Sequence, residues 1–177
     1  MRNRALDISK IEQEVPFLRG ANIIQREKNT LSAIVDRDGP VKVSFFGLPN
    51  LPRLSPPPVA KDNGLAVASL LDLAGTKASV VQMRAEAKDY IDIDALITKG
   101  KVDLPLALSA AQKLYGPTFN PQITLKALSF FDDGDLRQLP DDMKFRLVTA
   151  ARNVDLDRLH SLDNPARKID QDHGHEL

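Results

Sequence analysis

The chain has 177 residues, with 24 Lys and Arg against 24 Asp and Glu, no Cys and 42% hydrophobic residues. This length fits one domain with its own core, and zero net charge argues against a protein whose main task is coating nucleic acid. Without cysteine there are no disulfides, thiolate metal sites or thiol catalysis. No apolar run of 18 residues and no signal peptide occur, so we expect a cytoplasmic globular protein.

The first 60 residues read as a helix followed by a small sheet. Leu6–Leu18 has apolar residues at helical spacing. Three strand-like runs follow, and Gly39 lies in an Asp-Gly turn between the last two, which is a strong hairpin signal. The predicted antiparallel strands are Asn22–Lys28, Thr30–Asp36 and Val41–Phe46.

Five prolines between Pro49 and Pro58 form a rigid connector, after which the pattern becomes helical. Ser69, Asp89, Asp103 and Asn120 are plausible helix starts. The predicted helices lie near residues 69–85, 88–99, 103–115, 120–131 and 140–153. We expect a single α+β domain over residues 1–160, with its sheet part at 1–60 and its helical part at 65–160. A polar, disordered tail is expected at 161–177.

The first candidate residues lie on the helix that starts at Ser69. Ser69 and Asp72 have the spacing of a capping box, and this structural role is sufficient for Asp72. Lys77 falls inside the apolar arc of the same helix, with Arg84 close by. A charge on that face either snorkels to water or faces a cleft where it holds an anion such as phosphate.

Asp89 and Asp92 are the natural carboxylate partners for this lysine, because residues three apart are neighbours on a helix. Two interpretations stay open. Asp89 serves as an N-cap, with Asp92 favoured by the helix dipole, or both line one pocket together with Lys77.

Other polar motifs have simpler interpretations. Asp36-Arg37-Asp38-Gly39 and Asp132-Asp133-Gly134-Asp135 are typical of turns rather than metal loops. His173 and His175 lie in the polar tail, and Ser44 has no histidine at a triad spacing. Neither a Walker loop nor a GxGxxG motif occurs.

Four segments together resemble the nucleotidyltransferase toxins of the AbiEii/AbiGii type, and the resemblance extends from about residue 30 to about residue 156. The segments are VKVSFFG (41–47), ASLLDLAGTK (68–77), RAEAKDYIDIDALI (84–97) and LYGPTFNPQITLKALSFFDDGDL (114–136). The D-x-x-x-x-K and K-D-x-x-D pieces are fairly specific in this order and separation.

The resemblance implies a nucleotidyltransferase-like fold, magnesium, a nucleoside triphosphate and a role in bacterial toxin–antitoxin or phage-defence systems. Asp72 and Lys77 match the family's third motif and would contact the nucleotide, Lys77 at the triphosphate. Asp89 and Asp92 match its fourth motif and would be the catalytic carboxylates. An antitoxin protein would be the partner.

The chain departs from the family at the metal-binding core. The family has a Gly-Gly or Gly-Ser turn followed by a D-x-D carboxylate pair on a strand, and these carboxylates hold two metals. None of the nine glycines here precedes Gly or Ser, and the first 28 residues contain no D-x-D. We therefore expect only part of the nucleotidyltransferase fold, lacking that front portion through truncation, a late-called start codon or degeneration.

Two functions follow from this pattern. The first is a nucleotidyltransferase-like toxin-family protein that is inactive alone, so that whether the chain is an enzyme stays open. The alternative is a non-enzymatic interaction or regulatory module. A sheet with an unpaired edge and an uncovered face also predicts a homodimer.

Overall fold

The computed structural model describes residues 5–48 and 51–159 of the chain. It is an α+β structure, as predicted, in which the described residues up to 51 form one compact unit and those from 52 onward form another. The prediction of a single domain over residues 1–160 stays a prediction. The predicted tail at 161–177, including His173 and His175, lies outside the described residues, and so does Pro49.

The first unit is a helix packed on a three-stranded sheet. Its elements are helix α1 (Ile8–Glu14), a 3-10 turn (Pro16–Leu18), and strands β1 (Asn22–Glu27), β2 (Thr30–Asp36) and β3 (Pro40–Phe46). The sheet is antiparallel in the order β1-β2-β3. The single helix predicted over Leu6–Leu18 is therefore shorter, because Pro16 starts a separate 3-10 turn.

The hairpin between β2 and β3 forms where the Asp-Gly signal predicts it. Asp38 and Gly39 both have positive φ, of 58° and 138°. A carboxylate oxygen of Asp36 accepts the backbone N–H of Gly39 at 3.0 Å. Asp36 and Asp38 are thus turn residues, as the sequence indicates, and β2 buries Leu31 and Ala33 in the small core of this unit.

Strand β1 is one of the two edge strands of the sheet and is more exposed than β3, the other one. All six of its residues are exposed, including Ile23 at 37% and Ile24 at 47%. The register shifts between Ile23 and Gln25, so that Ile24 lies in a bulge. An edge with apolar side chains is the part of this unit best suited to pairing with another chain.

The second unit is helical. Its helices are α2 (Leu70–Val80), α3 (Ala87–Thr98), α4 (Leu104–Tyr115), α5 (Pro121–Ala127) and α6 (Asp141–Arg152). Ser69, Asp103 and Asn120 are N-caps, as predicted, because each side chain accepts a backbone N–H of the following turn. No described helix has the length and apolar character needed to cross a lipid bilayer.

Three predicted helix boundaries were wrong. Helix α5 ends at Ala127 rather than near residue 131. Helix α2 ends at Val80 rather than near residue 85, so Arg84 belongs to the segment between α2 and α3. Asp89 is not the N-cap of α3, which begins two residues earlier at Ala87. The N–H of Ala87 is instead accepted by the carboxylate of Asp135 at 2.7 Å, from a distant part of the chain.

Helices α2 and α4 pack very closely through small side chains. A Cβ atom added to Gly75 would lie 2.9 Å from backbone atoms of Ala110 and Ala111. Ala74 and Ala78 of α2 are also buried. This contact places α2 rigidly in the core of the helical unit, and with it the lysine that the helix carries.

Candidate functional site

Lys77 of α2 lies between the two carboxylates of α3. Its Nζ atom is 2.8 Å from Oδ1 of Asp89 and 2.5 Å from Oδ2 of Asp92. The structure therefore brings together the three residues that the helical pattern placed near one another. The Lys77 side chain retains 18% exposure, so it neither snorkels freely nor is fully enclosed.

Arg84 completes this arrangement from outside the helices. Its Nε atom donates to Oδ2 of Asp89 at 2.8 Å, while its Nη1 atom lies 3.4 Å from Glu86. The two oxygens of Asp89 are thus bound by two different cations. We call Lys77, Arg84, Asp89 and Asp92 the charged cluster.

The cluster fixes the charge states of its buried members. Burial raises the pKa of Asp89, but hydrogen bonds from Arg84 and Lys77 lower it more, so the pKa lies below its ordinary value. Burial lowers the pKa of Lys77, but its hydrogen bonds to Asp89 and Asp92 raise it above the ordinary value. Both groups are therefore charged at neutral pH.

The two aspartates differ in access to solvent. The side chain of Asp89 is 0% exposed, whereas that of Asp92 is 46% exposed. Asp89 can orient Lys77 and Arg84, but its complete burial closes it to a ligand from solvent. Asp92, Arg84 and, to a smaller extent, Lys77 are the parts of the cluster that a ligand can reach.

Asp72, the fourth predicted site residue, has other contacts. Its N–H is accepted by Ser69 Oγ at 3.0 Å, which is the first half of the predicted capping box. Its carboxylate accepts the Ser69 hydroxyl at 2.5 Å and the N–H of Leu54 at 2.8 Å. Asp72 thus anchors the chain preceding α2, and the capping box forms only in its first half, because the carboxylate binds Leu54 and the Ser69 hydroxyl rather than the backbone N–H of Ser69.

The residues of the cluster do not fit the magnesium that the family resemblance implies. Mg²⁺ requires near-octahedral oxygen ligands, commonly one or two carboxylates with substrate phosphates. Both Asp89 oxygens are engaged by cations, which leaves Asp92 as the accessible carboxylate. Across residues 5–48 and 51–159, no group of three acidic or histidine side chains is placed to hold a metal.

Sequence reasoning missed a second buried charge on α3. Asp94 is buried and forms a bidentate salt bridge with Arg146 of α6, whose Nε and Nη2 atoms donate to its two carboxylate oxygens at 2.8 Å each. The hydrogen bond to Asp94 raises the pKa of Arg146 further above its ordinary value, and a bond to Asp142 adds to this. The clue was available, because Asp94 follows Tyr90 by one helical turn on the buried face.

Comparison with known proteins gives two matches. The family model described as "Nucleotidyl transferase AbiEii toxin, Type IV TA system" matches residues 5–165. An uncharacterized protein of Aquifex aeolicus (strain VF5) is 28% identical over 130 residues, which is 73% of this chain and 61% of that protein. The chain therefore spans less than two thirds of the relative's length. No solved structure matches the chain significantly.

Proposed function

The chain belongs to the AbiEii nucleotidyl transferase toxin family, and from this membership we propose that its charged cluster binds the triphosphate of a nucleoside triphosphate. On this proposal the protein is a nucleotidyltransferase-like member of a toxin–antitoxin or phage-defence system. Its 177 residues supply the phosphate side of the reaction, and they do not transfer a nucleotide by themselves.

One observation carries the proposal. Lys77 and Arg84 come from different segments and converge on one buried carboxylate, at 2.8 Å each. The shared carboxylate of Asp89 is 0% exposed. The two cations that it binds are preorganised, because Asp89 fixes both of their positions before any ligand binds. Phosphate oxygens are suited to such a pair, since charge-assisted bonds from lysine and arginine are the usual phosphate contacts.

The cluster residues would then have distinct roles. Lys77 would exchange its bond to Asp92 for one to a phosphate oxygen, since Asp92 is the more exposed of its two partners. Asp89 would act as a positioning residue for Lys77 and Arg84. Asp92 would remain beside the phosphates, where an exposed carboxylate could accept a proton or a hydrogen bond from an acceptor hydroxyl.

The absence of turnover is part of the proposal. The family's Gly-Gly or Gly-Ser turn does not occur in these 177 residues, and the cluster does not supply three metal ligands. Two-metal catalysis needs carboxylates that fix both ions at the reacting phosphorus. No step through a metal is therefore derived for this chain.

Label transfer tests this part directly. The 177-residue protein is incubated with each labelled nucleoside triphosphate, magnesium and total RNA or protein, beside a family member that has the Gly-Ser and D-x-D motif. We expect no transfer by this chain. Transfer that disappears in Lys77→Ala or Asp89→Ala would show that the missing motif is not needed.

Binding of tripolyphosphate, measured by calorimetry, tests the phosphate contact. We expect saturable binding by the protein and at least roughly fivefold weaker binding by Lys77→Gln, which loses one charge-assisted bond. Lys99→Gln is the matched control, because Lys99 is an exposed lysine at the end of α3. Equal binding by both variants would contradict the proposal.

A second candidate function is an interaction module, and the exposed strand β1 favours it. Ile23 and Ile24 lie on an unpaired edge, and Phe46 of β3 is also exposed. We propose that this sheet pairs with a protein, either a second copy or the antitoxin that the family implies, in the cytoplasm. Sedimentation at micromolar concentration tests the homodimer, and a clean monomer of 19.5 kDa would count against it.

A further inference from the structure

A cavity of about 240 Å³ lies in the helical unit beside Arg84. Its walls come from the segment after α2, from α3, from the end of α5 and from the turn that follows α5. Met83, Tyr90, Phe130 and Asp133 line it together with Arg84. This volume is smaller than the roughly 300–1,000 Å³ of pockets for drug-sized ligands, so it suits a single planar ring system.

Arg84 joins the cavity to the charged cluster. The guanidinium donates through Nε to Asp89, whose other oxygen accepts from Lys77, and the same side chain lines the cavity. The carboxylate of Asp89 therefore lies between Lys77 and the arginine that lines the cavity. A ligand with phosphates at Lys77 and Arg84 would place its next chemical group at the cavity entrance.

Two aromatic side chains, Tyr90 and Phe130, contribute to the walls of the cavity. Tyr90 is buried and packs edge-on against Phe131, with ring centroids 6.1 Å apart. Its hydroxyl donates to the carbonyl of Ala127 at 3.3 Å, which ties α3 to α5. Phe130 is half-exposed at the rim, where its ring is available for stacking.

Asp133 supplies an acceptor on the polar side of the cavity. Within the part of the chain that the structure describes, its carboxylate has no hydrogen-bond or ion-pair partner, although its backbone carbonyl accepts from Leu136. Its negative charge also reaches Tyr90, whose pKa is raised first by burial and then by the charge of Asp133. A ligand group that donates N–H bonds would find its acceptor here.

We propose that this cavity binds the base of a nucleotide and favours bases that carry an exocyclic amino group. The inference rests on the proposed function, because the phosphates of the same nucleotide would lie at the charged cluster. Phe130 and the planar face of Arg84 stack on the base, and Asp133 accepts its amino N–H. Uracil has no amino group, so it is bound more weakly than cytosine or adenine.

Nucleosides without phosphate test the cavity separately from the cluster. Amide chemical shifts of ¹⁵N-labelled protein are followed during titration with cytidine, adenosine and uridine. We expect cytidine and adenosine to shift the amides of Met83, Ala85 and Phe130, with affinity about fivefold higher than for uridine. Phe130→Ala should weaken binding by about 5- to 150-fold, the range of one base stack.

Matched variants control for general effects on folding. Phe145→Ala removes an exposed ring from α6, and Asp132→Asn removes the carboxylate next to Asp133. Both controls should bind cytidine as the unmodified protein does. Asp133→Asn should abolish the preference over uridine, because an amide can both donate and accept.

The two proposals fail in distinguishable ways. If tripolyphosphate binds and no nucleoside shifts the cavity amides, the base site is wrong and the phosphate proposal stands. If nucleosides bind in the cavity and tripolyphosphate does not bind, the phosphate proposal is wrong and the base site stands by itself. Nucleoside shifts confined to other residues, or equal affinity for uridine, would overturn the inference.

Discussion

The two units of this chain differ in how they treat charged side chains. The helical unit buries the charges of Asp89 and Asp94, whereas no charged side chain is buried among the described residues of the sheet unit, which exposes Ile23, Ile24 and Phe46. Each buried charge is matched by at least one cation from another segment, and the exposed apolar side chains of β1 belong to an edge strand of the sheet. The comparison teaches that burying a charge requires several elements that converge on it.

The sizes of the two cores explain the difference. Among the described residues, seventeen buried hydrophobic residues form one cluster in the helical unit, whereas the cluster of the sheet unit has four, namely Leu18, Leu31, Ala33 and Val35. Small units bury a smaller fraction of their surface, which limits the favourable free energy that can offset a desolvated charge. A candidate ligand site with fixed charges is therefore found in the helical unit.

Of the variants considered, Asp89→Asn should have the largest effect on stability, because it removes one of the buried charges that distinguish the helical unit. Removing the buried charge leaves Lys77 and Arg84 without their shared partner, and the free energy of unfolding should fall by about 3–5 kcal/mol. Urea unfolding measures this, with Asp132→Asn as an exposed control that should change it by less than about 0.5 kcal/mol. Equal effects of the two variants would mean that the cluster adds nothing to stability.

The pH dependence of the stability difference between the wild type and Asp89→Asn tests the same buried charge. The folded pKa of Asp89 lies below its ordinary value of 3.8, so its stabilisation is present above pH 3.8 and is lost as pH falls through the folded pKa. The pKa of Lys77 is raised above 10.5, so its contribution is complete below pH 10.5 and is lost above the folded pKa. The difference in unfolding free energy between the wild type and Asp89→Asn should therefore be constant from about pH 5 to 9 and should shrink in acid. A decrease near pH 7 would contradict this.

The variant Gly75→Val tests the packing that holds α2. Its side chain would meet the backbone of Ala110 and Ala111, since a Cβ atom already comes within 2.9 Å. Overpacking of this kind costs about 1–3 kcal/mol in the free energy of unfolding. Ser79→Ala on the same helix is the control in urea unfolding, and a Gly75→Val protein as stable as the control would show that α4 can move away.

The smallest effect is expected in the sheet unit. Ile24→Lys changes an exposed bulge residue on β1 and should alter the free energy of unfolding by no more than about 0.5 kcal/mol. Thermal unfolding followed by circular dichroism checks this, with Leu31→Ala as the buried counterpart on β2, where a loss of about 2–5 kcal/mol is expected. A large loss from Ile24→Lys would mean that this edge is covered in solution.

Local signals in the sequence predicted the strands and most helix starts. The two strand-like runs around Gly39 predict the hairpin because its turn requires positive φ, and Ser69, Asp103 and Asn120 cap helices within three residues of themselves. The position of Lys77 on an apolar face also predicted its carboxylate partners, since such a charge needs compensation.

The sequence predictions were wrong where a hydrogen-bond partner lies far away along the chain. Gln82 donates to the carbonyl of Asn120 and to Thr124, 38 and 42 residues away, and the helix ends just before it. Asp89 has the sequence signature of a cap, but Asp135 binds the first N–H of α3 instead. No local pattern indicates a partner at such a separation, which is also why the pair of Asp94 and Arg146 was missed.

The cap that Asp135 provides also has a consequence during protein synthesis. Lys77 and Asp89 are 12 residues apart, whereas Ala87 and Asp135 are 48 apart. At roughly 5–20 residues per second, a ribosome adds the later carboxylate several seconds after the helix that it caps. During that interval the first N–H of α3 has only water as its partner, and its bond to Asp135 can form only after the turn that follows α5 has left the exit tunnel.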